Sequence, residues 1–92
     1  MNSLKITEIE ITPIKAQSGL VGFASCVVND QFYIGNIAIH SCLANYNFRL
    51  VYPTRALPNG KSIDCIHPIN KDTGDAMQRA IVDAYKKLMG AL

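Results

Sequence analysis

The sequence specifies an α+β domain: an antiparallel β-sheet of about five strands followed by one C-terminal amphipathic helix. Three observations lead there. Apolar residues recur at the two-residue period of strands, or in short apolar runs bounded by turn residues, through the first two-thirds of the chain. Near the C-terminus they recur instead at the three- and four-residue spacing of a helix. The chain has 92 residues, 49% hydrophobic and 17% charged, which suits a single domain over 1–92 with ample core material.

Leu4 to Pro13 reads as the first strand. Its apolar positions are Leu4 and Ile6, then Ile9 and Ile11, so the period slips once and predicts a bulge or bend. Pro13 has no amide proton, which suits a strand end or a sheet edge. Ala16-Gln17-Ser18-Gly19 is a turn. Val21 to Val28 and Gln31 to Ile39 form a hairpin around Asn29-Asp30, residues that tolerate the positive φ of a two-residue turn. Both strands are apolar nearly throughout, which predicts cover on both faces: the helix on one and a partner subunit on the other.

Phe48 to Thr54 reads as a fourth strand and Lys61 to Ile66 as a fifth, joined by a Pro58-Asn59-Gly60 turn. The helix follows, from about Thr73 to Met89. Asp72 or Thr73 is the expected N-cap, Asp75 suits the first turn, Lys86 and Lys87 suit the last, and Gly90 is the stop. Met77, Ala80, Ile81, Ala84, Tyr85 and Leu88 form its apolar stripe, with Gln78, Arg79, Asp83, Lys86 and Lys87 on the remaining surface. Core is the default role for that stripe, because a helix in so short a chain must cover a sheet.

The bulk numbers narrow the function classes. A net charge of +2 permits nucleic-acid contact without demanding it. No run of 18 apolar residues exists, so no membrane span is expected, and Met1 to Lys5 lacks the features of a signal peptide. Three cysteines, Cys26, Cys42 and Cys65, suit a reducing compartment better than a disulfide framework, and the expected location is cytoplasmic.

No catalytic constellation stands out, and the chain is expected not to be an enzyme, with no cofactor and no small-molecule substrate. Cys26 lies in an apolar strand, where burial makes a thiol inert. Ser41 beside His40 is no triad, since triads assemble across a fold. Gly19 and Gly22 lack the strand-to-helix setting of a phosphate loop. Glu8 and Glu10 read as charges sharing one face of the first strand that discourage edge pairing. His40-Ser41-Cys42 and Cys65-Ile66-His67 each place two potential zinc ligands on one strand face, but neither has the spacing of a zinc site. His67, held extended before Pro68, reads as a buried, hydrogen-bonded structural histidine.

The most specific signal is Tyr52-Pro53-Thr54-Arg55-Ala56-Leu57-Pro58-Asn59-Gly60, followed by Asp64-Cys65-Ile66-His67-Pro68-Ile69-Asn70. It resembles the signature of the stage V sporulation protein G (SpoVG) family, in which a Pro-Ser/Thr-basic stretch leads through a Pro-Asp/Asn-Gly turn to an Asp-x-x-His-Pro-Ile run and a helix. Lys5-Ile6-Thr7-Glu8-Ile9 resembles the family's first strand and Gln31-Phe32-Tyr33-Ile34-Gly35-Asn36-Ile37 its third. Thr73, Gln78, Ala80 and Tyr85 sit where its helix has similar residues.

The resemblance implies a homodimeric bacterial regulator that binds DNA and/or RNA, linked to sporulation and septation. It also marks departures: one basic residue, Arg55, where the family usually has two, Gly74 and Ala76 where its helix start is often basic, and Arg49 where it is usually apolar. The candidate phosphate-binding residues are Arg55, Lys61, Lys71 and Arg79, with Asp72, Asp75 and Asp83 close enough to dilute their field. The competing reading is a protein-interaction module of the same fold that has lost nucleic-acid binding.

Overall fold

Bulges in the sheet decide which face each strand side chain takes. The computed structural model describes residues 4–42 and 47–90; Met1 to Ser3, part of the segment read for a signal peptide, lie outside them. β1 (Ile6–Gln17), β2 (Leu20–Val28), β3 (Phe32–Cys42) and β4 (Asn47–Val51) form a four-stranded antiparallel meander in that order. In β1 the register passes from Thr7 opposite Val27 to Glu10 opposite Ser25, so Glu8 and Ile9 share one partner position, and Glu8 takes a φ of +51°. This is the bulge that the slip from Ile6 to Ile9 predicts, and it lets Ile6, Ile9 and Ile11 all pack toward the core. It also breaks the alternation expected to put Glu8 and Glu10 on one face.

β3 carries the same device. Ile34 pairs with Cys26 and Ile37 with Ala24, leaving Gly35 and Asn36 opposite Ser25, with Asn36 at φ +58°. Ile34, Ile37 and Ile39 therefore all turn to the core side. The apolar residues that suggested two buried faces are concentrated on one. The other face is mixed: Thr12, Phe23, Ser25, Tyr33, Ala38 and Val51 lie on it beside Glu10, His40 and Arg49.

β1 is an edge strand and runs past Pro13 to Gln17, so the first turn tightens to Ser18 (φ +54°) and Gly19 (φ +91°). Asn29 and Asp30, at φ +54° and +56°, make the expected two-residue turn, closed by the Gln31 amide donating to Val28 O at 3.0 Å.

α1 (Lys71–Leu88) lies across the core face. Its cap is Asn70, not Asp72 or Thr73: the Asn70 side chain accepts the Thr73 amide at 2.8 Å from an extended backbone, so the helix starts two residues earlier than the apolar spacing indicated. Met77, Ile81 and Tyr85 are buried against Ala24, Cys26, Ile37 and Ile39, and Val82 beside them is buried too. The stripe ends at Tyr85, whose ring meets Phe48 of edge strand β4 with centroids 5.2 Å apart. Beyond that strand there is no sheet to cover, and Leu88, expected in the core, is 55% exposed. Gln78, expected on the surface, is half-buried and donates through Nε2 to Phe48 O, fixing the helix to the sheet edge. Gly90, at φ +69°, is the stop.

The fourth expected strand joins this sheet but is shorter than Phe48 to Thr54, and the fifth does not extend it. β4 ends at Val51, because Pro53 two residues on cannot donate to a ladder. Thr54–Ala56 (β5) and Ser62–Asp64 (β6) instead pair with each other as a separate two-stranded sheet. No described helix is long and apolar enough to cross a membrane.

Candidate nucleic-acid interface

The β5–β6 hairpin is an arm. All six ladder residues are exposed on both of its faces, Ile63 included. An isolated pair of three-residue strands is marginal in water, so the turn and the neck must hold it. At the tip, the Leu57 amide donates to Lys61 O at 2.7 Å and the Gly60 amide to Leu57 O at 3.0 Å. Asn59 Oδ1 accepts the Lys61 amide at 3.0 Å. Gly60 takes φ +85° with open space where a side chain would point. At the neck, the Cys65 amide donates to Pro53 O at 3.1 Å. Tyr52 packs on the core there, and burial, with a smaller contribution from Cys26, pushes its hydroxyl up to about 12. Tyr52, Ile66, His67 and Pro68 border a small apolar cavity of about 120 Å³ together with Met77.

The ladder brings two of the four candidate cations together. Arg55 pairs with Ile63, and Leu57 faces Lys61 one non-adjacent pair further on, so Arg55 and Lys61 share one face of the arm. Diagonal neighbours of this kind lie about 7–8 Å apart, close to the spacing at which two side chains reach one phosphodiester run. Both are exposed, and among the described residues neither is in an ion pair.

Lys71 and Arg79 are differently placed. Lys71 Nζ lies 2.8 Å from Asp75 Oδ2. Lys71, Asp75, Arg79, Asp83 and Lys87 follow one another at four-residue intervals along the exposed side of α1. Their charges alternate, so each cation has a carboxylate a turn away and the stripe largely neutralises itself. The structure thus separates the four candidates into an uncompensated pair on the arm and a compensated pair on the helix. Arg49, noted only as a departure from the family pattern, is exposed on β4 opposite His40.

His67 is exposed, not buried as expected. Its Nδ1 lies 2.9 Å from Pro68 O, which only accepts, so Nδ1 carries the proton; Nε2 faces Asp64 at 3.5 Å. The ring braces the exit from the arm. The residues sequence reasoning missed are Phe23 and Tyr33, read there only as part of strands apolar on both faces and placed on the face away from the helix. Alternation sets their facing, opposite to that of Ala24 and Cys26 on β2 and of Ile34 on β3, and the tertiary structure leaves that face uncovered.

Comparison with known proteins adds a family to this geometry. Residues 4–87 match the family model described as SpoVG. A protein of Clostridium perfringens is similar at 29% identity over 85 residues, 92% of each chain. One of Clostridium beijerinckii is 27% identical over 84 residues, covering 91% of this chain and 90% of its own. One of Acholeplasma laidlawii is 26% identical over 88 residues, covering 96% and 92%. All three carry the name septation protein SpoVG, given in each case as a provisional assignment.

Proposed function

Because the chain belongs to the SpoVG family, we propose that it is a cytoplasmic, homodimeric regulator that contacts DNA and/or RNA weakly and with loose sequence preference. The observation that carries this reading is the placing of Arg55 and Lys61 on one face of an arm whose six ladder residues are all exposed. Two uncompensated cations on a projecting hairpin supply salt-sensitive phosphate affinity without reading bases. Lys71 and Arg79 add a weaker flank, reduced by Asp75 and Asp83. The septation role named for the relatives comes to this chain as part of the same proposal, and no enzymatic activity is part of it.

The dimer rests on size and on exposed apolar surface. Ile63, Ile66 and Ile69 stand at 51%, 39% and 88% exposure along one short stretch of the arm and its exit. A contiguous apolar stretch of this kind is commonly covered by a partner. The same observation favours a second reading, a protein-interaction module whose partner is another protein.

A gel-shift titration with duplex DNA at two salt concentrations tests the first. Binding is expected to weaken steeply with salt, and Arg55→Ala/Lys61→Ala is expected to lower the slope of log K against log salt by about 2. Absence of any shift at micromolar protein and low salt would leave the interaction module as the better description.

A further inference from the structure

We infer that the sheet face opposite the helix is a site for single-stranded nucleic acid, in which Phe23 and Tyr33 stack bases and the polar groups between them touch base edges. The inference rests on the nucleic-acid reading above and adds the surface and the strandedness of the ligand.

Phe23 on β2 and Tyr33 on β3 are 36% and 72% exposed, although the sheet has a core face available to aromatic side chains. They point the same way. Phe23 pairs with Ala38 and Thr12, Tyr33 pairs with Val27, and all of these alternate with the core-facing Ala24, Cys26 and Ile37. Tyr33 is also held. A Cβ built on Gly35 would meet its Oη at 2.9 Å and its ring carbons at 3.0 and 3.2 Å, so the ring lies back over Gly35, along the sheet. The glycine makes room for that pose, and the ring's outer π-face is left open to solvent. A flat, outward ring on an antiparallel sheet is a stacking platform, and because every base has a π-face such stacking tolerates sequence.

Between the rings lies a depression of about 180 Å³ lined by Glu10, Thr12, Ser25 and Asn36 as well as Phe23 and Tyr33. An engineered cavity of about 150 Å³ accepts benzene, so the space suits one six-membered ring or the edge of a purine. Its lining offers a carboxylate, two hydroxyls and an amide. These are the acceptors and donors that base edges present in complement, and the carboxylate suits exocyclic amino groups.

The charge on this face is arranged in the same sense. The single carboxylate of the depression sits where bases would lie, while Arg49, with no ion-pair partner among the described residues, stands further along the face beside His40. A duplex hides its base faces and base edges from such a surface, whereas an unpaired strand exposes both. A second copy of this chain is the competing occupant, and it would have to bury Glu10, Arg49 and His40 along with Phe23 and Tyr33.

Fluorescence anisotropy with oligo(dT), oligo(rU) and a mixed-sequence duplex tests the inference, with sedimentation and thermal melts run on every variant. Phe23→Ala/Tyr33→Ala is expected to weaken both single strands by about 5- to 150-fold per stacked base while leaving the salt slope and duplex binding unchanged. Tyr33→Phe keeps the ring and is expected to bind as wild type. Both side chains lie off the core, so the variants should melt near the wild type. Unequal losses for oligo(dT) and oligo(rU) would show which sugar is preferred and support the site in either case. Wild-type single-strand affinity in Phe23→Ala/Tyr33→Ala would overturn the inference while leaving the Arg55 and Lys61 reading standing. Loss of self-association in that variant would overturn it too, assigning the face to a dimer. Failure of every nucleic acid to bind the wild type would remove both readings together.

Discussion

The sheet–helix body and the β5–β6 arm use the same backbone pattern and are held together by different physics. In the body, Ala24, Cys26, Ile37 and Ile39 meet Met77, Ile81 and Tyr85, and among the described residues no polar or charged residue is fully buried. In the arm, three residue pairs form a ladder whose six residues are all exposed. Burial at about 25 cal/mol per Å² of apolar surface accumulates in the first region and is nearly absent from the second. The difference teaches where to look for stability and where for function. A surface that contributes little to folding is free to carry Arg55, Lys61 and Ile63, and its shape survives because the Pro58-Asn59-Gly60 turn and the Tyr52 neck fix its two ends.

Substitutions can break that comparison or sharpen it. Ile81→Ala removes a fully buried side chain at the centre of the body and is expected to destabilise the protein by about 2–5 kcal/mol in urea titrations. A loss below 1 kcal/mol would mean that the body is not the cooperative unit.

High pH should act next, and at the junction of the two regions. Burial raises the thiol of Cys26 above its ordinary value of 9.0, and the Tyr52 hydroxyl rises from 10.0 to about 12. Both groups are neutral when protonated and hold their protons more tightly in the folded state. Stability is therefore full below pH 9 and falls as pH rises from there toward 12. Tyr52→Phe is expected to flatten the upper part of that decline in pH-dependent melts.

The smallest effect on folding is expected in the arm. Ile63→Ser should change stability by less than about 0.5 kcal/mol, since the side chain is half exposed and lies outside the core cluster. The same substitution should weaken self-association in sedimentation at tens of micromolar. A large loss of monomer stability would show that the arm packs on its own domain. An unchanged dimer would move the interface elsewhere.

Much of the fold was legible from residues alone. Apolar parity located four of the strands, the slip at Ile6 and Ile9 announced the bulge at Glu8, and Asn29-Asp30 announced its turn. The boundaries that failed did so for local reasons. Asn70 outcompeted Asp72 and Thr73 as the cap because its side chain reaches the Thr73 amide. Pro53 ended β4 because a residue without an amide proton cannot continue a ladder. The candidate site was half legible: Arg55 and Lys61 flank a recognisable turn, so their proximity is a local matter. The weakness of Lys71 and Arg79 was legible as well, in the four-residue spacing of Asp75 and Asp83.

What the sequence by itself determined is the set of elements, their order and the chemistry carried by each, because alternation, capping and turn propensity act over a few neighbouring residues. Only the tertiary structure decided that β5 and β6 leave the main sheet, that Leu88 runs past the last strand, and that Phe23 and Tyr33 stand on an uncovered face. Each of those depends on what lies across the chain: a strand edge that is or is not filled, a sheet that is or is not wide enough, and a bulge on one strand that resets the facing of residues against another.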